Sequence, residues 1–237
     1  MRRRGANVDV GAYLRAIPLY FRNPWLALGP LLTSLLGALL LILVPPSGPT
    51  GGGVGGGLMS IFVMLLDSFG LSISLIVAER AWRLGRGPFD DALQQARRRA
   101  PDILLAAIGY NFIIYVAGLV GGFLGSIPSL VLTAVAAFFF IYTIPAAAIG
   151  GVPGGAALQA SIERVRGSIP GTLLLAVVLI ALILLFSDVV NLTLPLLANW
   201  PALASSNAFL EIYQAVVKSI GLGYVALVMA KAYEDAY

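Results

Sequence analysis

Six apolar stretches, each long enough to cross a hydrocarbon layer, fill most of this chain: 25–44, 58–79, 102–123, 128–149, 170–190 and 208–230. A helix rises about 1.5 Å per residue, so about 20 apolar residues cross a core about 30 Å thick. In that medium each backbone N–H and C=O must be satisfied internally, which predicts helices as the spanning structure. The alternating pattern of outer-membrane barrel strands is absent. Of the 237 residues, 59% are hydrophobic and 11% charged, whereas a soluble domain carries about 25% charged residues. Little chain remains for a soluble domain. The predicted fold is all-α, a single polytopic integral-membrane domain over 1–237.

The cations set an orientation. Arg2, Arg3, Arg4, Arg15 and Arg22 precede the first stretch. Arg80, Arg83, Arg86, Arg97, Arg98 and Arg99 follow the second, Arg164 and Arg166 follow the fourth, and Lys231 lies at the C-terminal end. The three opposite loops hold no Lys or Arg, and the remaining cation, Lys218, lies inside the sixth stretch. An excess of Lys and Arg marks cytoplasmic loops, which predicts cytoplasmic termini in a bacterial inner membrane. The arginines between 80 and 99 form a candidate face for anionic lipid headgroups or a partner protein. Because the arginines flank spans, nucleic acid is not an expected partner. Basic residues before an apolar run also suggest a signal sequence. Here the run begins near Trp25 and no A-x-A site follows Pro45 and Pro46, so the segment is expected to stay as an anchor.

Cysteine and histidine are both absent. That excludes disulfides, thiol chemistry, Cys/His zinc sites, His-ligated haem or chlorophyll, and Ser-His-Asp catalysis. A pigment ligated by a carbonyl or water, or a carotenoid, stays compatible. No cofactor is predicted, and bound lipids are expected. Glu79, Asp90, Asp91, Asp102 and Glu163 are dispersed among arginines rather than clustered, so enzyme activity is not expected.

A repeat runs through the chain. Three amphipathic stretches, 8–22, 88–100 and 156–168, each lead to a proline and then a pair of spans; the prolines are Pro24, Pro101 and Pro170. Proline suits the first helical position, where its missing N–H has no partner to lose. The three units share one orientation, a parallel repeat, although any three membrane hairpins with basic linkers would look similar. In 88–100, Phe89, Ala92, Leu93 and Ala96 recur at helical spacing against Asp90, Asp91 and the arginines. This pattern predicts a helix on the membrane surface, as a lipid anchor or a docking helix. Residues 48–57 read as a flexible external glycine connector, and 191–207, with Pro195, Trp200 and Pro201, as an apolar external segment. Gly118, Gly121, Gly122 and Gly125 form overlapping small-xxx-small pairs that predict close helix packing. Gly150, Gly151, Gly154 and Gly155 surround Pro153 and predict a loop.

Four ionisable residues lie in or near the spans away from the arginines: Asp67, Asp188, Glu211 and Lys218. Asp67 and Lys218 both fall about ten residues into their spans, roughly 15 Å deep, whereas Asp188 and Glu211 lie near an interface. Charges at depth are costly and point to function or to pairing. Asp67 and Lys218 are therefore expected to form an ion pair, with Asn111 as a third member and Ser68, Tyr110 and Ser219 nearby in sequence. Such a pair would be a structural one that fixes register, or an ion, proton or polar-substrate site; the alternative is no contact, with Lys218 snorkelling outward.

Arg22-Asn-Pro-Trp, Asp91-Ala-Leu-Gln-Gln-Ala-Arg-Arg-Arg, Ile144-Pro-Ala-Ala-Ala-Ile and Ala157-Leu-Gln-Ala-Ser-Ile-Glu-Arg-Val-Arg-Gly occur at corresponding places around the spans. By these motifs the chain resembles a bacterial six-span family that includes the membrane domain of glycerophosphodiester phosphodiesterases. The catalytic domain of those enzymes has no counterpart here, so the resemblance implies a supporting membrane module. A second resemblance, in length and layout, is to the permease subunits of two-component ATP-driven exporters. There 11–22, 88–100 and 191–207 would be elbow, coupling helix and external re-entrant segment, and a cytoplasmic ATPase would be the partner. Two functions follow as expectations. One is a non-enzymatic accessory or scaffold subunit of a larger membrane complex, energy-converting or light-harvesting for instance, that binds partner helices, lipids or pigments. The other is a transporter of a small solute or lipid, such as an exporter permease.

Overall fold

The computed structural model describes residues 10–43, 54–197 and 207–236, and all regular structure within them is helical. In order these are α1 (Val10–Arg22), a 3₁₀ turn (Pro24–Ala27), α2 (Leu28–Leu43), α3 (Val54–Leu84), α4 (Phe89–Arg98), α5 (Ala100–Leu124), α6 (Ser126–Phe139), α7 (Thr143–Ala148), α8 (Gly154–Gly167), α9 (Ile169–Leu197) and α10 (Asn207–Asp235). Five stretches are long and apolar enough to cross a membrane: Met59–Leu84, Ala100–Leu124, Ser126–Ala148, Ile169–Phe186 and Phe209–Asp235. A sixth is counted if Tyr13–Arg22 and Pro24–Leu40, which meet at 96°, form one broken span.

Several boundaries differ from those the sequence suggests. Helix α3, which carries the second span, begins at Val54, so Gly55, Gly56 and Gly57, expected in a connector, are helical. Glycine disfavours a helix by about 1 kcal/mol relative to alanine, but a helix satisfies backbone groups that an apolar medium would leave unpaired. The rest of that connector, 48–53, lies outside the described residues. The fourth span is interrupted at 140–142, between α6 and α7. Pro145 explains the break, because its ring clashes with the carbonyl four residues earlier and it donates no hydrogen bond. Ser161 repairs the damage: its Oγ accepts from the Tyr142 N–H at 3.0 Å and donates to the Phe139 carbonyl at 2.9 Å. The helix of the fifth span, α9, continues beyond it to Leu197. Residues 191–197 of the expected external segment are thus helical, and 198–206 lie outside the described residues.

The short amphipathic helices appear where expected, as α1, α4 and α8, although the break at Arg99 separates α4 from α5. Ala92 and Ala96 are one helical turn apart and face the bundle, leaving Arg97 and Arg98 exposed. Burial is uneven across the long helices. In the apolar stretches of α3 and α10, 44% and 50% of residues are buried, against 17% in α5 and 11% in α9. The core is therefore the α3–α10 seam, with Ser72–Ala78 buried along α3 and Ala226–Ala230 along α10. Around it, α2 packs closely: a Cβ on Gly29 would stand 2.8 Å from the Gly70 carbonyl oxygen.

Polar side chains tie these helices together across the seam. Ser74 Oγ donates to the Leu26 carbonyl at 2.5 Å, and Trp82 Nε1 to the Leu227 carbonyl at 2.9 Å. Tyr20 and Tyr224 hydroxyls donate to the Ile220 and Tyr13 carbonyls, locking α1 across α10. Asn23, 2% exposed, joins three segments. Its amide donates to the carbonyls of Leu19 at 3.0 Å and Gly85 at 3.3 Å, and its Oδ1 accepts from the Gly87 N–H at 3.1 Å. Replacing Asn23 by Ala strands the buried Gly87 N–H. The expected loss is about 1–3 kcal/mol, read as a lower midpoint of unfolding in mixed micelles, with Asn23→Gln recovering part of it.

Candidate functional site

Far from the basic end, α3 carries one charge, Asp67, and α10 carries two, Lys218 and, further out, Glu211. Asp67 lies 13 residues from Arg80 and Lys218 lies 13 residues from Lys231, about 20 Å along either helix. Equal depth on adjacent helices brings them together: Lys218 Nζ donates to Asp67 Oδ2 at 2.5 Å. Ser34 on α2 donates to the other carboxylate oxygen at 3.2 Å. The Lys218 side chain remains 50% exposed and that of Asp67 21%. The pair is therefore accessible rather than sealed.

Accessibility comes from two clefts. The larger, about 730 Å³, lies among α2, α3, α9 and α10; Leu182, Ile183 and Phe186 form one wall. The smaller, about 430 Å³, runs along the other side of the seam past Ser60, Met64 and Leu71. Val63, Asp67, Lys218 and Leu222 border both, so the ion pair stands as a partition between them. Glu211, Gln214 and Lys218 project into the larger cleft from one face of α10, at helical spacing. Among the described residues Glu211 has no ion-pair partner. The α9 wall closes on α10 at two levels. Gly221 allows the Phe186 ring to approach so closely that a Cβ would sit 2.8 Å from it. Further from the basic end, the Thr193 and Tyr213 hydroxyls are hydrogen-bonded.

An ammonium, two carboxylates, an amide and a hydroxyl thus line an apolar cleft. Such a site can match both the polar head and the apolar body of an amphiphile. A lone charge in a lipid medium costs about 2.5–3.5 kcal/mol on insertion scales, so pairing makes both residues tolerable, and the open cleft leaves them reachable.

Asn111 does not join the pair. Its amide donates to the Ala107 carbonyl one turn back on α5, at 2.8 Å, and it borders neither cleft. Ser68 and Ser219 likewise donate to Met64 and Ala215 on their own helices, the common fate of serine in an apolar helix. Ser34 and Gln214 were the members that sequence reasoning missed. Their signal was polarity at a position that keeps helical spacing with, or faces, a charged residue.

The arginine face divides in two. Arg80 pairs with Asp91 at 3.2 Å, and Arg83 with Glu79 at 3.0 Å and Glu234 at 2.8 Å. Arg99 donates to the carbonyls of Ala148 and Ile149 at 2.7 and 3.1 Å. These three hold elements together. Arg86, Arg97 and Arg98 are exposed and make no ion pair among the described residues. Arg164, counted in the sequence only among the cations after the fourth stretch, is buried: its guanidinium lies 3.2 Å from the Tyr233 ring centroid and donates to the Tyr233 carbonyl.

The four glycines also separate. Gly121 is buried where the backbone of Ser129 crosses it, the close approach that glycine permits. The Gly118 carbonyl accepts from Ser129 Oγ at 3.0 Å. Gly125, at φ +120°, makes the turn between α5 and α6, and a Cβ on Gly122 would meet open space.

Comparison with protein-family models, curated proteins and solved structures finds no match.

If pairing makes these charges tolerable, Asp67→Asn and Lys218→Met should each destabilise by on the order of 2 kcal/mol. The double variant should be closer to wild type than either single one, because a lone charge is the costly state. A double-mutant cycle on unfolding midpoints in mixed micelles measures this coupling.

Proposed function

We propose that the protein is a non-enzymatic multi-pass membrane protein that binds a small amphiphile in the cleft beside Asp67 and Lys218, and works as a carrier or permease. The observation that carries this reading is the ion pair itself, charged, partly exposed and set between two apolar clefts. A purely structural pair gains from being sealed, whereas this one faces a space large enough for a ligand of several hundred Å³. Entry between α2 and α9 would admit a ligand directly from the bilayer.

The setting we infer is a bacterial inner membrane with both termini in the cytoplasm, since the cations gather at one end. Within it, α1, α4 and α8 each precede a proline-led long helix. That order supports three parallel units of interfacial helix plus hairpin. The motifs shared with the six-span family and the exporter-like layout support a module that works with partners, among which a cytoplasmic ATPase contacting α4 is the testable one.

A second reading, an accessory subunit of a larger membrane complex, is favoured by one specific observation. Helix α6 buries none of its 14 residues, and with α5 it presents Phe112, Tyr115, Leu119, Phe123 and Leu130 outward. Partner helices, lipids or a carotenoid would cover that hairpin.

Gln214→Trp tests the cleft. The side chain it replaces is exposed in the cleft, so an indole fills space without disturbing the core. Native mass spectrometry of protein extracted in mild detergent should show a small-molecule adduct on wild type that Gln214→Trp loses. An adduct unchanged by Gln214→Trp, or none on wild type, contradicts the carrier reading. Topology has its own test, simplified by the absence of native cysteine. A cysteine at Gln94 should react with an impermeant thiol reagent only from the cytoplasmic side, and one at Thr50 only from the opposite side.

A further inference from the structure

Away from the basic end the chain is short of cations. Between Arg22 and Arg80, and between Arg166 and Lys218, the sequence holds no Lys or Arg. Lys218 therefore stands there against three carboxylates, Asp67, Asp188 and Glu211, and it is bonded to Asp67. Asp188 is exposed on α9 and lines neither cleft. Glu211 is only partly exposed and lines the larger cleft, where it makes no hydrogen bond or ion pair among the described residues. Gln214, one turn along the same face of α10, is likewise without a hydrogen-bond partner among them. One ammonium and two carboxylates leave the larger cleft with a net negative charge that no other Lys or Arg on that side can neutralise.

The cleft is also polarised along its length. Its α10 wall runs from Glu211 to Val225, about 21 Å along the helix. Glu211, Gln214 and Lys218 occupy the half further from the basic end, and Gly221, Leu222 and Val225 the other half. The apolar side chains of α9 face that second half, since the Phe186 ring packs on Gly221. An amphiphile in this cleft has one favourable orientation, head beside Glu211 and Gln214 and tail past Phe186. The sign of its head follows from the charges. An anionic head on Lys218 would displace Asp67 and set three anions around one ammonium, and like charges brought together are costly. A cationic head meets Glu211 and leaves the Asp67–Lys218 pair intact.

Resting on the reading of this cleft as a ligand site, we propose that its ligand is a cationic amphiphile, an alkylammonium whose head takes Glu211 as counter-ion and Gln214 as hydrogen-bond acceptor. A primary ammonium carries three donors, enough for the Glu211 carboxylate and the Gln214 side-chain carbonyl together. Hydrogen bonds between charged groups are roughly twice as strong as neutral ones, and apolar walls strengthen the attraction further. Lys218, held by Asp67, stays neutralised beneath the head.

The test is titration of the delipidated full chain at neutral pH in an uncharged detergent, with adducts counted by native mass spectrometry. Dodecylamine, dodecanol and dodecanoate are the probes, equal in chain length and different in head charge. Specific uptake is the part that Gln214→Trp removes. Wild type should take up dodecylamine specifically, and more tightly than either other probe. Glu211→Gln should weaken that uptake about tenfold, the loss expected for a charge-assisted hydrogen bond, and so erase the preference. Glu211→Asp keeps the charge and should retain most of the preference, which separates lost charge from a disturbed fold. Asp188→Asn removes a carboxylate outside the cleft and should change nothing. Equal weakening by Glu211→Gln and Asp188→Asn would mean diffuse attraction and overturn the proposal. Specific uptake of dodecanol or dodecanoate as tight as that of dodecylamine would overturn the cationic class while the carrier reading stood. Absence of specific uptake for all three probes would overturn both.

Discussion

An apolar surrounding leaves no polar group unattended, and the structure is organised by that demand. The α3–α10 seam meets it in the most concentrated form. Two helices lie side by side with serines and small residues between them, and carry opposite charges at equal distance from the basic end. Each charge is tolerable only because the other is there. The same demand explains smaller devices. Ser161 takes both backbone groups freed at the break before Pro145, and Asn23 satisfies the sharp turn between α1 and the first spanning helix. Arg164 is buried where the Tyr233 carbonyl and ring receive it.

Around this seam the remaining long helices are loosely attached. Helix α9 buries little and meets α10 mainly where Gly221 admits Phe186 and where Thr193 reaches Tyr213. The α5–α6 hairpin is joined by its own Gly121–Ser129 crossing and held to the bundle near its basic end, where Asp102 accepts from the Gly154 N–H. A tight seam with a weakly held wall is what keeps the larger cleft open. It also makes α9 the element whose displacement would change the cleft's width, while the pair on the seam stays in place.

The spans were legible in the sequence because hydropathy and helix length are local properties, and the ion pair because equal depth follows from counting residues. Breaks and partners were less legible. Pro145 reads as one more apolar residue in a long run, and only the location of Ser161 on a distant helix shows how the interruption is satisfied. Asn111 matches Asp67 and Lys218 in depth, but depth gives no azimuth, and its amide turns back along α5. The motifs that suggested the six-span family fall largely on packing positions: Asn23 at the first turn, Ile144–Ala148 in the core, Ser161 and Arg164 beneath it. Such residues specify how hairpins dock and not what the protein binds, which is why the motifs indicated architecture before activity.

The account rests on a direct, charged contact between Asp67 and Lys218, and the sequence makes that contact unusually easy to observe. Lys218 and Lys231 are the only lysines. Solid-state NMR on the chain in lipid bilayers, with ¹⁵N-lysine and ¹³C-aspartate labels, reports ammonium–carboxylate dipolar coupling directly. The account predicts an ammonium resonance for Lys218 coupled to a carboxylate, with the coupling abolished by Asp67→Asn while that of Lys231 persists. A Lys218 resonance that is uncoupled in wild type, or indifferent to Asp67→Asn, would contradict it.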